Sequence, residues 1–112
     1  MIFNTFDIEN IRPSELNEKM RRGEDLFLLD VRTPAESAVQ TIPGSYLIPL
    51  QELAQRMYEL PKDKEIVVYC RVGHRSGHAS AFLLRQGYKI KNLEGGIMLW
   101  NLVENTAAAM VP

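Results

Sequence analysis

Residues 70–75, Cys70-Arg71-Val72-Gly73-His74-Arg75, place the one cysteine of the chain at the head of a short loop with two arginines and a histidine. The run before it, Ile66-Val67-Val68-Tyr69, reads as a buried strand. The run after it carries Ala79, Phe82 and Leu83 at helical spacing and ends at Gly87. A strand would thus deliver Cys70 to a rim, and the unpaired N–H groups of a helix start would face it. Gly73 allows the sharp turn between them. Free cysteine titrates at about 8.5, and helix N-termini with cationic neighbours lower that value. Inward-pointing N–H groups also form an anion nest, and arginine holds an oxyanion through two parallel hydrogen bonds. The chemistry that follows is nucleophilic attack by a Cys70 thiolate on an anionic substrate bound by Arg71 and Arg75, with His74 widening the positive field. A lone cysteine at a strand end is more often a small buried hydrophobe; the glycine, the arginines and the helix start beside Cys70 shift the reading to catalysis. His78 reads as a solvated first-turn residue.

The elements that must position this loop alternate along the chain. Residues 12–23 read as a helix, with Pro13 at its first turn, Leu16 and Met20 on one face and Gly23 after the basic pair Arg21-Arg22. Leu26-Phe27-Leu28-Leu29 is an apolar run too short for a core helix and reads as a strand buried on both faces, ending in Asp30-Val31-Arg32. Thr33 and Glu36 fit a capping box and open a short helix that Ile42-Pro43-Gly44 breaks. Tyr46-Leu47-Ile48 is a second short strand. Leu50, Leu53, Ala54 and Met57 form a helical stripe, and Pro61–Lys64 a turn. A last strand lies within Tyr88–Leu93, and Gly95-Gly96 opens a final helix bearing Met98, Leu99, Trp100 and Val103. The alternation predicts an α/β fold with a central, mostly parallel sheet of about five strands and helices on both faces. In such sheets ligands bind beyond the carboxyl ends of strands, which gathers Asp30–Arg32, Cys70–Arg75 and Glu94–Gly96 on one rim. A buried Asp30–Arg32 pair would support that rim rather than react, Glu94 would be a solvated charge, and Gly95-Gly96 would let the backbone approach the loop. Trp100 reads as core.

At 112 residues the chain fits one domain, with a core at about 8–104 and a tail at 105–112. The 13 basic and 14 acidic side chains nearly cancel, so the basic excess of a nucleic-acid binder is absent. The longest apolar runs fall far short of the roughly 20 residues of a membrane span. Met1–Asp7 lacks the basic start and apolar stretch of a secretory signal, and one cysteine makes no internal disulfide. The expectation is a cytoplasmic protein with no nucleic-acid or membrane partner.

With these residues in view, the chain resembles the rhodanese family of sulfurtransferases from about the first helix to Trp100. Cys70 and Arg75 enclose four residues, as in the family's active loop, and Ser76 follows as in single-domain members. Asp30-Val31-Arg32 with Pro34 and Glu36, then Ile42-Pro43-Gly44 and Ile48-Pro49, then Gly95-Gly96 with Trp100, are similar to further family motifs in the same order. Ser37 stands where relatives often carry an aromatic residue, and Gln40-Thr41 where they often carry Gly-His. The resemblance implies that Cys70 takes the outer sulfur of a small anionic donor such as thiosulfate. Residues 71–75 (Arg71, Val72, Gly73, His74, Arg75) would cradle the persulfide, and a thiol, cyanide or a sulfur-relay protein would remove the sulfur. Asp30, Arg32 and Ser76 would support the loop, and neither metal nor organic cofactor is required. A cysteine phosphatase or arsenate reductase is one rival, although phosphatase loops generally hold five residues between cysteine and arginine. A non-catalytic carrier or regulatory module is the other.

Overall fold

The structure is a computed structural model that describes residues 8–109, with side chains to residue 105. Five parallel strands form one sheet: β1 (Asn10–Ile11), β2 (Leu26–Asp30), β3 (Tyr46–Leu47), β4 (Glu65–Tyr69) and β5 (Lys89–Leu93), in the spatial order β1-β5-β4-β2-β3. The helices are α1 (Pro13–Arg21), α2 (Pro34–Val39), α3 (Leu53–Arg56), α4 (His74–Arg85) and α5 (Gly96–Ala109). This is the α/β architecture that the alternation predicts. No helix among the described residues is long and apolar enough to cross a membrane.

Side chains alternate across the sheet and separate two cores. Ile66, Val68 and Cys70 face one side of β4 and pack with Leu29, Leu53, Ala79 and Leu83. Val67 and Tyr69 face the other and pack with Ile11, Leu16, Ile97 and Trp100. The period of two along β4 explains why its sequence is apolar throughout: both faces are covered. Burying Trp100 against Leu16 and Ile11 fixes α5 on the sheet, as expected for a core residue.

Three local expectations change. Asn10–Ile11 is a strand, parallel to Asn92–Leu93; two residues are too few to show an alternation. Arg12 is the cap of α1 rather than its first residue, and its N–H donates to Glu15 Oε1 at 3.2 Å. The stripe from Leu50 to Met57 is not one helix. It splits into a 3₁₀ turn, the single turn α3 and a second 3₁₀ turn. Tertiary bonds hold both ends of this segment: Leu50 N–H donates to Val31 O at 3.1 Å, and Tyr88 O–H donates to Met57 O at 2.8 Å.

The chain leaves β2 toward β3 and leaves β4 toward β5, so the strand order reverses between β2 and β4. The carboxyl ends of those two strands, neighbours at Asp30 and Tyr69, border the crevice where open parallel sheets bind ligands.

Candidate active site

Cys70 is the first residue after β4 and is almost wholly buried. Gly73, at φ +116°, turns the chain into α4 and stands at its N-cap, where it has no side chain to satisfy the helix's free donors. The sulfur of Cys70 takes that place. Its Sγ accepts from Gly73 N–H at 3.1 Å and Ser76 N–H at 3.4 Å, and lies 3.3 Å from Ser76 Oγ. Burial pushes the thiol pKa up, but the Ser76 hydroxyl and the N–H groups of Ser76, Gly73 and Val72 outweigh it, so the thiol lies below its ordinary value. A buried, weakly acidified sulfur ringed by donors is poised to bear negative charge.

A second helix start braces the same loop. Ile97 N–H donates to Cys70 O at 3.0 Å and Met98 N–H to Arg71 O at 3.1 Å. The first free donors of α5 are thereby used up on the loop backbone. Gly96 makes this contact: a Cβ there would press on the Arg71 carbonyl and lie 2.6 Å from Cys70 O.

Across the crevice Arg75 reaches back to α2. Its NH1 and NH2 donate to Glu36 Oε1 and Oε2 at 2.7 and 2.8 Å, a bidentate pair. The Arg75 guanidinium, and less strongly the Thr33 backbone, hold the Glu36 carboxyl down at about 2. Glu36 also closes the capping box with Thr33. Beneath it, Arg32 forms a buried fork with Asp30, Nε to Oδ1 at 2.9 Å and NH2 to Oδ2 at 2.8 Å. The same NH2 donates to Gln40 O at 2.6 Å, which ties β2 to the end of α2.

The chain matches the Rhodanese-like domain family over residues 12–102. It belongs to the rhodanese-like family. It is 43% identical over 94 residues to a protein of Allochromatium vinosum named sulfurtransferase, covering 83% of this chain and 88% of that one. It is 40% identical over 94 residues to YtwF of Bacillus subtilis, covering 84% and 91%. The crystal structure of a rhodanese-related protein from Thermoplasma volcanium superposes with a TM-score of 0.77 at 33% identity, covering 93% of this chain and 95% of that one.

On this rhodanese-like frame the residues singled out in the sequence gather on one rim. Cys70, Gly73 and Ser76 are joined through the sulfur. Val72 and Arg71 are exposed, and Arg71 makes no ion pair among the described residues. His74 opens α4 and is exposed, as is His78 one turn on; both line a separate cavity of about 290 Å³ with Asn10 and Asn92. Arg75 is occupied by Glu36, and Asp30 and Arg32 form a buried ion pair. Glu94 is exposed. Two features escape the sequence. Glu36 is identifiable there as a capping residue and as part of a family motif but not as the partner of Arg75, and the donors of Ile97 and Met98 come from backbone, which no side chain announces. The glycine pair before them is the one signal of that close approach.

Proposed function

We propose that this protein is a sulfurtransferase that carries sulfane sulfur on Cys70 as a persulfide, acting as one domain. The observation that supports it most is the donor ring around Sγ, built from Gly73 N–H, Ser76 N–H and the Ser76 hydroxyl at the start of α4. Donors placed this way stabilise a thiolate before attack, and the loop N–H groups can hold the extra sulfur afterwards. The name of the A. vinosum relative supports the same chemistry.

With thiosulfate as donor, the Cys70 thiolate attacks the outer sulfur. A Cys70 S–S bond forms, the S–S bond of thiosulfate breaks, and sulfite leaves with the electron pair. Arg71 meets the anionic donor directly. Arg75 adds positive charge while Glu36 fixes it, and His74 stands beside it at the start of α4. A thiol, cyanide or the cysteine of a sulfur-relay protein then takes the outer sulfur and regenerates the Cys70 thiolate. The cytoplasm, where thiols stay reduced, suits a free catalytic cysteine.

Phosphatase chemistry is less well served. It needs a carboxylic acid to protonate the leaving alkoxide. Glu36 is the carboxylate joined to the loop, and at about 2 it stays ionised at neutral pH.

The test is thiocyanate formation from thiosulfate and cyanide, beside hydrolysis of p-nitrophenyl phosphate. The proposal expects thiocyanate turnover that Cys70→Ser abolishes while the fold persists. Faster phosphate-ester hydrolysis than thiocyanate formation would reverse it.

A further inference from the structure

A second cavity of about 290 Å³ adjoins the loop and shares no lining residue with the histidine cavity; Arg32, Glu36, Val39, Arg71, Ile97 and Met98 line it, with Gln40 and Asn101 at its side. It is fastened to the reacting cysteine at two edges. Ile97 and Met98, on one edge, donate to the Cys70 and Arg71 carbonyls. Glu36, on another, holds Arg75, whose charge is felt by Cys70. A reciprocal amide pair ties α2 to α5 at its side, Gln40 Nε2 to Asn101 Oδ1 at 2.7 Å and Asn101 Nδ2 to Gln40 Oε1 at 2.8 Å.

Arg71 can meet donor and acceptor in turn, but the rest of this lining does not match a bare inorganic dianion. Thiosulfate has no apolar part, yet the exposed Val39 and Met98 line this cavity beside the buried Ile97. The volume is that of roughly ten waters at about 30 Å³ each. Arg71 is the one lining cation with no ion pair among the described residues, since Arg32 is spent on Asp30. Apolar walls with a single free guanidinium suit a molecule with a carbon stem and one carboxylate.

We propose that this cavity is the acceptor subsite, and that it selects small thiols whose carbon stem ends in a carboxylate, anchored on Arg71. The inference rests on Cys70 carrying a persulfide. The acceptor thiolate attacks the outer sulfur of Cys70–S–SH. A bond forms between the two, the Cys70 Sγ–S bond breaks, and the electron pair returns to Cys70 as thiolate, giving the acceptor persulfide.

The test loads the protein with thiosulfate, removes the excess, and follows loss of the sulfur to 3-mercaptopropionate or to 2-mercaptoethanol at equal thiolate concentration. The subsite predicts discharge about tenfold faster with the carboxylate thiol, the worth of one charge-assisted hydrogen bond. The ratio falls to within about twofold in Arg71→Ala and partly recovers in Arg71→Lys. Equal rates in the unaltered protein, or a ratio that survives Arg71→Ala, overturn it. A second arm needs no sulfur transfer. In Cys70→Ser, the unreactive thioether 3-(methylthio)propionate should shift the Met98 methyl resonance, assigned by its loss in Met98→Leu, and should fail to do so when Arg71→Ala is added. An unmoved Met98 signal refutes the subsite even where Cys70 loads. A shifted signal with no loading refutes the sulfur chemistry and leaves the binding site standing.

Discussion

The sulfur of Cys70 is both the reacting atom and the cap of a helix. Because Gly73 has no side chain, the donors at the start of α4 converge on Sγ instead of on an N-cap oxygen. That double duty explains why a cysteine 1% exposed can remain below the ordinary thiol value: desolvation opposes the charge, and four hydrogen-bond contributions from Ser76, Gly73 and Val72 override it. Donors to the thiolate depress the pKa, so removing one raises it and lowers the thiolate fraction at neutral pH. Ser76→Ala should move the rising limb of thiosulfate loading to higher pH and slow loading at pH 7 about fivefold, near the worth of one hydrogen bond. A pH profile identical to that of the unaltered protein would remove the Ser76 hydroxyl from the site. Much of this was legible in the chain, because strand, glycine, arginines and helix start are neighbours in sequence. The Glu36–Arg75 pair was not. Its partners lie 39 residues apart, and Glu36 already satisfies a local role as the capping partner of Thr33.

At the scale of elements, two helix starts meet at one loop. The start of α4 serves the sulfur, and the start of α5 serves the carbonyls of Cys70 and Arg71. Gly96 is the joint between them, with φ at +60° and no room for a Cβ against the loop backbone. Gly77 is its opposite, a helical glycine in α4 whose added Cβ would meet nothing within 4 Å. Gly96→Ala should therefore destabilise by at least about 2 kcal/mol and slow loading, because it pushes the loop off α5. Gly77→Ala should stabilise by about 0.5–1 kcal/mol through helix propensity. Thermal melts of the two variants check both signs; equal shifts would mean that the close approach at Gly96 carries no weight. The sequence pointed to Gly95-Gly96 as a close approach because paired glycines at a helix start have few other uses. It did not reveal β1, whose pairing with β5 depends on a surface formed by residues more than 80 positions away.

For the whole molecule, the site depends on the crevice where strand order reverses, and the Asp30–Arg32 fork holds that crevice together. Both side chains are buried, and Arg32 joins the end of β2 to the carbonyl of Gln40 while its guanidinium lies 5.5 Å from the Tyr69 ring centroid. Removing one charge of a buried pair leaves the other uncompensated. Asp30→Asn should lower unfolding stability by about 3–5 kcal/mol, read as a lower urea midpoint at unchanged slope. A loss under 1 kcal/mol would mean that the fork is not what fixes α2. The parallel sheet with two covered faces was readable from the short apolar runs, since period and length distinguish buried strands from helices. The division of the rim into a sulfur-holding side and an α2–α5 cavity was not, because it arises from helices that meet only in three dimensions.

Loading of Cys70 with sulfur and its unloading are measured directly by intact mass spectrometry of the protein before thiosulfate, after thiosulfate and after subsequent cyanide. The expected result is a gain equal to one sulfur atom, absent in Cys70→Ser, and its complete loss on adding cyanide. A mass that never changes, or a gain that persists in Cys70→Ser, would contradict it.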